Sequence, residues 1–189
     1  MEKPKAVGFR SKYILIALSV VCIAAALIMS RGSSRIRKTP LQIAEECTTA
    51  TEWMMVCDTQ EHVLTLFKQS KDAAPGEWKP VEYNSFPCST GALRMINGEM
   101  KTCTPLGPSY IKFKQRSHKF DDCKSWYNCW MKGGFAIHST MYARDEDLPL
   151  HETDSRLGDN ISTSCIRVDL KVAKFIYKTM PEMTPLMVY

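Results

Sequence analysis

Two hydropathy patterns divide this chain. Residues 13–29, YILIALSVVCIAAALIM, form one uncharged apolar run, and from residue 40 onward apolar residues come in short stretches broken by polar turns. Trp53–Cys57 and His62–Phe67 flank Asp58-Thr59-Gln60-Glu61, which predicts a β-hairpin. Trp78–Phe86 sets Val81, Tyr83 and Ser85 on one face and predicts a third strand. Tyr110-Ile111-Lys112-Phe113-Lys114 alternates apolar with basic residues, the pattern of a half-exposed strand. Gly133–His138 predicts a strand that delivers His138 to its C-terminal end, and Thr184–Tyr189 a last one. Pro40–Cys47 has room for one or two helical turns. After Asp169, a natural N-cap, Leu170, Ala173, Ile176, Tyr177 and Met180 recur at helical spacing until Pro181 stops the helix. Many short strands with one good helix near the end indicate a mostly β domain.

The N-terminal run changes the picture of where that domain sits. A spanning helix needs roughly 17–25 apolar residues, a secretory signal core only ~7–15. Lys3, Lys5, Arg10 and Lys12 precede the run and Arg31 follows it. Ala24-Ala25-Ala26 lies inside the run, not after it, and Val21 before Cys22 spoils a lipoprotein box. The reading is an uncleaved anchor: residues 1–12 a basic cytoplasmic tail, 13–29 a transmembrane helix, 30–40 a linker and 41–189 the folded domain. A cleaved signal is the competing reading. Basic residues on both flanks leave the orientation open. Cysteines bear on it: Cys47, Cys57, Cys88, Cys103, Cys123 and Cys129 form an even, dispersed set, which points to disulfides and an oxidising exterior. The expected bridges are Cys123–Cys129, close in sequence, Cys88–Cys103, and by elimination Cys47–Cys57. The domain is then expected outside the cytoplasm on a single-pass anchor, with the membrane as one partner.

Charge excludes one class of function. Without residues 1–12, which hold four basic residues and Glu2, 21 Lys and Arg face 19 Asp and Glu. That near balance argues against a nucleic-acid partner, which wants a concentrated basic surface. No Cys-x-x-Cys occurs, and Cys123, Cys129 and His118 lack zinc-ligand spacing, so no metal is expected. Candidate chemistry concentrates instead at His138-Ser139 and at Ser162-Thr163-Ser164-Cys165-Ile166-Arg167. A histidine and a cysteine distant in sequence can form a base and its nucleophile, and Arg167 can hold a carboxylate by a two-pronged contact. Spacing alone leaves equal room for Cys165 as a half-cystine and His138 as a satisfied strand-end residue.

Several ordered pieces then carry a resemblance. Cys88-Ser89-Thr90-Gly91, Thr104-Pro105-Leu106-Gly107, Gly134-Phe135-Ala136-Ile137-His138-Ser139, Leu157-Gly158, Ser162 to Arg167, and Ala173, Ile176 and Tyr177 follow one another over more than a hundred residues. From about Trp53 to Tyr189 the chain resembles the L,D-transpeptidase (YkuD-like) catalytic domain. The resemblance implies a β-sandwich with one or more short helices and no cofactor. It implies peptidoglycan stem peptides as substrate and a thioester acyl-enzyme that forms cross-links. It implies Cys165 as nucleophile, His138 as base, Ser139 as its orienting neighbour and the N–H groups of Ser164 and Cys165 as oxyanion donors. Arg167, with Ser162 and Thr163, would contact substrate.

Two departures stand out. The family's S-H-G-C reads Ser162-Thr163-Ser164-Cys165 here, so Thr163 replaces a histidine and Ser164 a glycine. If the glycine is needed for its backbone freedom, Ser164 displaces an oxyanion donor, activity falls, and Ser164→Gly should speed acylation. The segment from Thr140 to Ile161 is long, and its acids Asp145, Glu146, Asp147, Glu152, Asp154 and Asp159 read as a solvated loop or as a lure for an amine. Two other functions stay open: an L,D-carboxypeptidase passing the acyl group to water, and an inactive wall-binding scaffold that keeps Cys165 for a disulfide.

Overall fold

The computed structural model describes residues 37–189; the expected tail, anchor and most of the linker lie outside the described residues. Among those described, no helix is long and apolar enough to cross a membrane. The described unit contains helix α1 (Pro40–Glu46) and then strands β1 (Trp53–Asp58), β2 (Val63–Gln69), β3 (Pro80–Gly91), β4 (Leu93–Ile96) and β5 (Glu99–Thr102). There follow β6 (Gly107–Lys119), β7 (Cys123–Met131), β8 (Ala136–Ser139), β9 (Met141–Ala143), β10 (Glu152–Asp154), β11 (Asn160–Ser162) and β12 (Ile166–Val168). Helix α2 (Leu170–Thr179) and β13 (Pro185–Val188) close the chain.

The pairing order β7-β6-β13-β1-β2-β3-β12-β8 closes on itself, because β8 also pairs with β7. The expected sandwich is therefore a barrel-like ring whose two halves share strands. β4 and β5 stand apart as a two-stranded hairpin. Trp53–Cys57 shows no alternation because β1 is buried on both faces. Met55 and Cys57 face the main core with Leu64, Leu66, Ile111, Ile137 and Ile166. Met54 and Val56 face a second cluster with Phe67 of β2 and with Ile43 and Ala44, the residues that α1 brings. Thr39 caps α1 and exchanges hydrogen bonds with Gln42, a capping box. The apolar stripe of α2, Val172, Ala173 and Ile176, is buried in the main core.

Two expectations fail for identifiable reasons. The alternation over Tyr110–Lys114 does not survive, because the β6–β7 register shifts between Ile111 and Phe113. Phe113 turns outward and stacks on Trp130 at 5.9 Å instead of entering the core. The disulfides also fail: the seven described cysteines are all free. Cys123 and Cys129 sit six residues apart on β7, roughly 20 Å at strand rise, far beyond the Cα separation of under about 7 Å that a bridge allows. Cys103 donates its N–H to the Ala92 carbonyl (3.0 Å), four residues past Cys88. Cys88 instead places its sulfur 3.9 Å from that of Cys57. Cys47 packs with the second cluster while Cys57 belongs to the first, on the opposite face of β1. The cysteines therefore say nothing about compartment.

Gly91 shows why a glycine stands at this point. A Cβ there would lie 2.5 Å from the Thr104 nitrogen and 2.9 Å from the Cys103 carbonyl carbon. The backbones approach because Gly91 donates its N–H to Thr104 Oγ1 (2.7 Å) and accepts from Thr102 Oγ1 (2.8 Å). Gly91→Ala is expected to lower unfolding stability by about 1–3 kcal/mol, the usual cost of overpacking. Urea denaturation measures it, and an unchanged midpoint would show that the two segments part without cost.

Candidate active site

The end of β3 builds the site. Cys88 and Ser89 pair antiparallel with Val168 and Arg167 of β12, while Thr90 and Gly91 pair parallel with Asn160 and Ser162 of β11. Both strands flanking Thr163-Ser164-Cys165 thus rest on one strand end, and the three residues turn between them. Side chains repeat the tie. Thr90 Oγ1 donates to Asn160 Oδ1 (2.9 Å), and Ser89 Oγ donates to the Arg156 carbonyl (3.3 Å) and accepts from Asp159 N–H (3.3 Å). Ser162 Oγ donates to the Cys165 carbonyl (2.6 Å) and closes the turn. On its other edge β12 runs parallel to β8, setting Arg167 opposite His138.

A cavity of about 210 Å³ joins these elements, lined by His138, Ser162, Thr163, Cys165 and Arg167 together with Phe120 and Cys123. His138 is 2% exposed. Its Nδ1 lies 2.6 Å from the Ser139 carbonyl. A carbonyl only accepts, so Nδ1 carries the proton and Nε2 keeps its lone pair. Ser139 orients the ring through its main chain; its hydroxyl accepts from Trp126 N–H (2.9 Å) and donates to the Thr140 carbonyl (2.6 Å). Burial pushes the His138 pKa down to about 4, with the Arg167 and His118 charges acting the same way against the Ser139 hydrogen bond. The imidazole is therefore neutral at physiological pH.

Two thiols share the cavity and differ in character. Burial raises the pKa of Cys165, but the Ala136 N–H, the Arg167 charge and the Ser164 hydroxyl all favour its thiolate. Cys123 is pushed up to about 11 by burial and by its contact with Asp122, and stays a thiol. Only Cys165 combines a neutral imidazole on the same cavity wall with donors aimed at its sulfur. Arg167 donates from Nη1 to Asp154 Oδ2 (3.0 Å), and its Nε is buried without a partner. Arg156 grips Asp154 with Nε and Nη2, both at 2.9 Å. These contacts, that of Arg156 foremost, hold the Asp154 carboxyl well below the usual carboxylate range.

Among the described residues, positive φ outside glycine is confined to His62, Asn97, Tyr127 and Met183. Ser164 thus lies outside the left-handed region, and its hydroxyl contributes a donor to Cys165 that glycine lacks. The expected sites Cys165, His138, Arg167, Ser162 and Thr163 line one cavity, and Ser139 and Ser164 contact its members. Sequence reasoning passed over Phe120, Asp122, Cys123, Met141 and Arg156, and read Asp154 as one solvated acid among six. The i, i+2 spacing of Asp154 and Arg156, opposite charges just before Leu157-Gly158, was the available signal. The other acids stay peripheral; Glu146, for instance, pairs with His151. No three His, Cys, Asp or Glu side chains converge as a metal set among the described residues.

The L,D-transpeptidase catalytic-domain model, YkuD, matches residues 53–188. The chain belongs to this family. A solved structure of a fused Zn-dependent amidase/peptidase/peptidoglycan-binding domain-containing protein from Clostridium acetobutylicum is 25% identical, with a TM-score of 0.53 over 78% of this chain and 57% of its own. An L,D-transpeptidase from Xylanimonas cellulosilytica is 16% identical, with a TM-score of 0.50 over 81% of this chain and 64% of its own. The chain thus spans less than two thirds of the length of either. No curated protein sequence matches it. The transpeptidase fold accounts for the ordered motifs: Ser89-Thr90-Gly91, Thr104, Gly158 and Ser162 are the residues that fix the turn carrying Cys165.

Burial of neutral His138 has a signed consequence. The unfolded chain protonates this side chain near its ordinary 6.5 and the folded chain near 4. Between those values the unfolded state binds more protons, so this group costs stability as pH falls. At about 1.4 kcal/mol per unit the loss approaches roughly 3 kcal/mol by pH 4. His138→Gln is expected to flatten that slope relative to the parent in denaturant titrations between pH 6.5 and 4. Parallel slopes would mean that His138 protonates at its usual pH.

Proposed function

We propose that this L,D-transpeptidase-family chain transfers the acyl group of a peptidoglycan stem peptide through a thioester on Cys165. The observation that carries the reading is the shared wall of the cavity: a neutral buried imidazole with its proton held at Nδ1, and a thiol with an N–H, a hydroxyl and a guanidinium favouring its ionised form. As the Cys165 sulfur attacks the carbonyl of the third, diamino residue, His138 Nε2 takes the thiol proton. The N–H groups of Ser164 and Cys165 receive the developing oxyanion, where fixed donors are worth most. The C–N bond to the terminal D-Ala breaks, and the imidazolium returns the proton to the leaving amine. A side-chain amine of a second stem then attacks the thioester and loses its proton to His138, which restores the thiol. Thr163 stands where the family pattern has a histidine and lines the cavity without taking part in proton transfer. A free Cys165 favours this reading over a scaffold that keeps the residue for a disulfide.

A carbapenem offers the same test of the nucleophile without the second stem. One covalent adduct per chain is expected on Cys165 by intact-mass spectrometry. Cys165→Ala abolishes it, His138→Ala slows it at least a hundredfold in keeping with loss of a general base, and Ser164→Gly gives no gain. No adduct on the parent chain would remove the enzyme reading. A peptidoglycan substrate puts the domain on the wall side, and residues 13–29 would hold it there as a single-pass anchor. Protease added to intact spheroplasts is expected to degrade the domain, and full protection would place it in the cytoplasm.

A further inference from the structure

The β4–β5 hairpin pairs with no other strand. Asn97 and Gly98 take positive φ at its tip, as a two-residue hairpin turn requires. Its register puts Leu93, Met95, Met100 and Thr102 on one face and Arg94, Ile96, Glu99 and Lys101 on the other. Met95 is 66% exposed, Met100 57%, Leu93 47% and Ile96 42%, and Leu106 just beyond is 57% exposed. Single exposed apolar side chains are ordinary, but five large ones within 93–106 form a patch, the mark of a docking surface. We propose that the hairpin docks on an anionic lipid bilayer, laying Leu93, Met95 and Met100 in the apolar boundary. The assignment rests on residues 13–29 being a membrane anchor and is independent of the thioester chemistry.

The occupant follows from where the chain enters the domain. Lys38 lines a cavity with Met187 and Tyr189. The Tyr189 carbonyl accepts from Thr59 N–H (2.9 Å) and from Thr59 Oγ1 (2.8 Å). Thr59 and Gln60 in turn line a cavity with Leu93, Met100 and Leu106. The chain entry and the hairpin therefore occupy one end of the barrel. Residues 30–37 separate the uncharged run 13–29 from Lys38, and a segment of that length reaches at most roughly 30 Å. An anchored domain thus has a bilayer within reach of this end. Charge fits the same occupant. Arg31, Arg35, Arg37 and Lys38 stand at the entry, and Arg94 and Lys101 outnumber Glu99, whose carboxylate pairs with Lys101 (2.8 Å). With the Leu93–Met95–Met100 face in the apolar boundary, the opposite face lies at headgroup depth. There Arg94 and Lys101 meet anionic phosphates while Glu99 stays paired.

Methionine oxidation reads the contact, with Met183 as internal reference. Met183 is 55% exposed and precedes β13 while Tyr189 follows it, so the reference lies at the other end of the barrel. The full chain is reconstituted in vesicles of phosphatidylcholine with phosphatidylglycerol and treated with hydrogen peroxide, which crosses bilayers and reaches the domain on either side. Peptide mass spectrometry counts the sulfoxides. Met95 and Met100 are expected to oxidise on the order of tenfold more slowly than Met183, since burial ~5–10 Å into the boundary takes them out of water. Without docking, their exposure predicts rates close to that of Met183. Met95→Glu restores oxidation of Met100, and Arg94→Glu with Lys101→Glu restores oxidation of both methionines. Each variant keeps the parent's urea midpoint, because none of these side chains is buried. Met95 and Met100 that oxidise as fast as Met183, in a chain that resists alkaline carbonate washing, overturn the docking and leave the anchor standing. Equal protection in phosphatidylcholine alone, which removes the anionic partner, overturns it too, as does protection that grows with chains per vesicle, the sign of a second copy. A chain that carbonate strips from the vesicles overturns the anchor and this assignment with it, and leaves the thioester reading untouched.

Discussion

Everything at the site depends on the last four residues of β3. Cys88 to Gly91 make main-chain ladders with β12 on one side and β11 on the other, so the turn carrying Cys165 leaves and re-enters the sheet against the same strand end. A three-residue turn anchored at both ends has little conformational freedom to lose when it binds, and its N–H groups are placed before substrate arrives. The hydroxyl of Ser89 reaches the segment before β11 and that of Thr90 the first residue of β11, and Gly91 lets the Cys103-Thr104 backbone come close enough to brace the strand from outside. None of these residues touches the cavity. Their type is set by the turn that they hold.

Burial sets the electrostatics of the reacting pair. A deeply buried imidazole beside a guanidinium resists protonation, and a buried thiol resists ionisation. The resting pair is therefore neutral, and charge separates only as sulfur attacks. Arg167 serves both halves: from the strand beside His138 it lowers that imidazole's basicity, and it favours the Cys165 thiolate. Asp154 keeps the guanidinium in place. Cys123 shows the contrast within the same cavity, since its nearest charge is the Asp122 carboxylate and its thiol is pushed away from ionisation.

Elements with a strong local signature were legible in the sequence. The β1–β2 hairpin, the strand ending at His138, α2 behind its Asp169 cap and the final strand all lie where periodicity and turn residues put them. Short strands whose existence depends on partners were not: β9 to β12 have three residues each and no pattern of their own. The half-exposed strand expected over Tyr110–Lys114 is part of β6, but its strict alternation breaks at Phe113, because a register shift is a property of two strands, not one. Cysteine count misled for a related reason. Cys57 and Cys88 serve as small apolar residues in the core, and counting cannot tell a buried thiol from a half-cystine.

The candidate site divides along the same line. His138, Cys165 and Arg167 could be named because each sits in a motif with a fixed neighbour. Asp122, Asp154 and Arg156 could not, since nothing in their spacing says that the start of β7 and the end of β10 line one cavity with Arg167 of β12. The replacement of glycine by Ser164 adds what a motif letter does not show: the chain adopts no left-handed backbone there and gains a hydroxyl that bonds the Cys165 sulfur. A glycine is required where a Cβ has no room, as at Gly91; where room and backbone allow a side chain, the residue type reports chemistry. On that criterion the departure at Ser164 is part of how this site treats its thiolate.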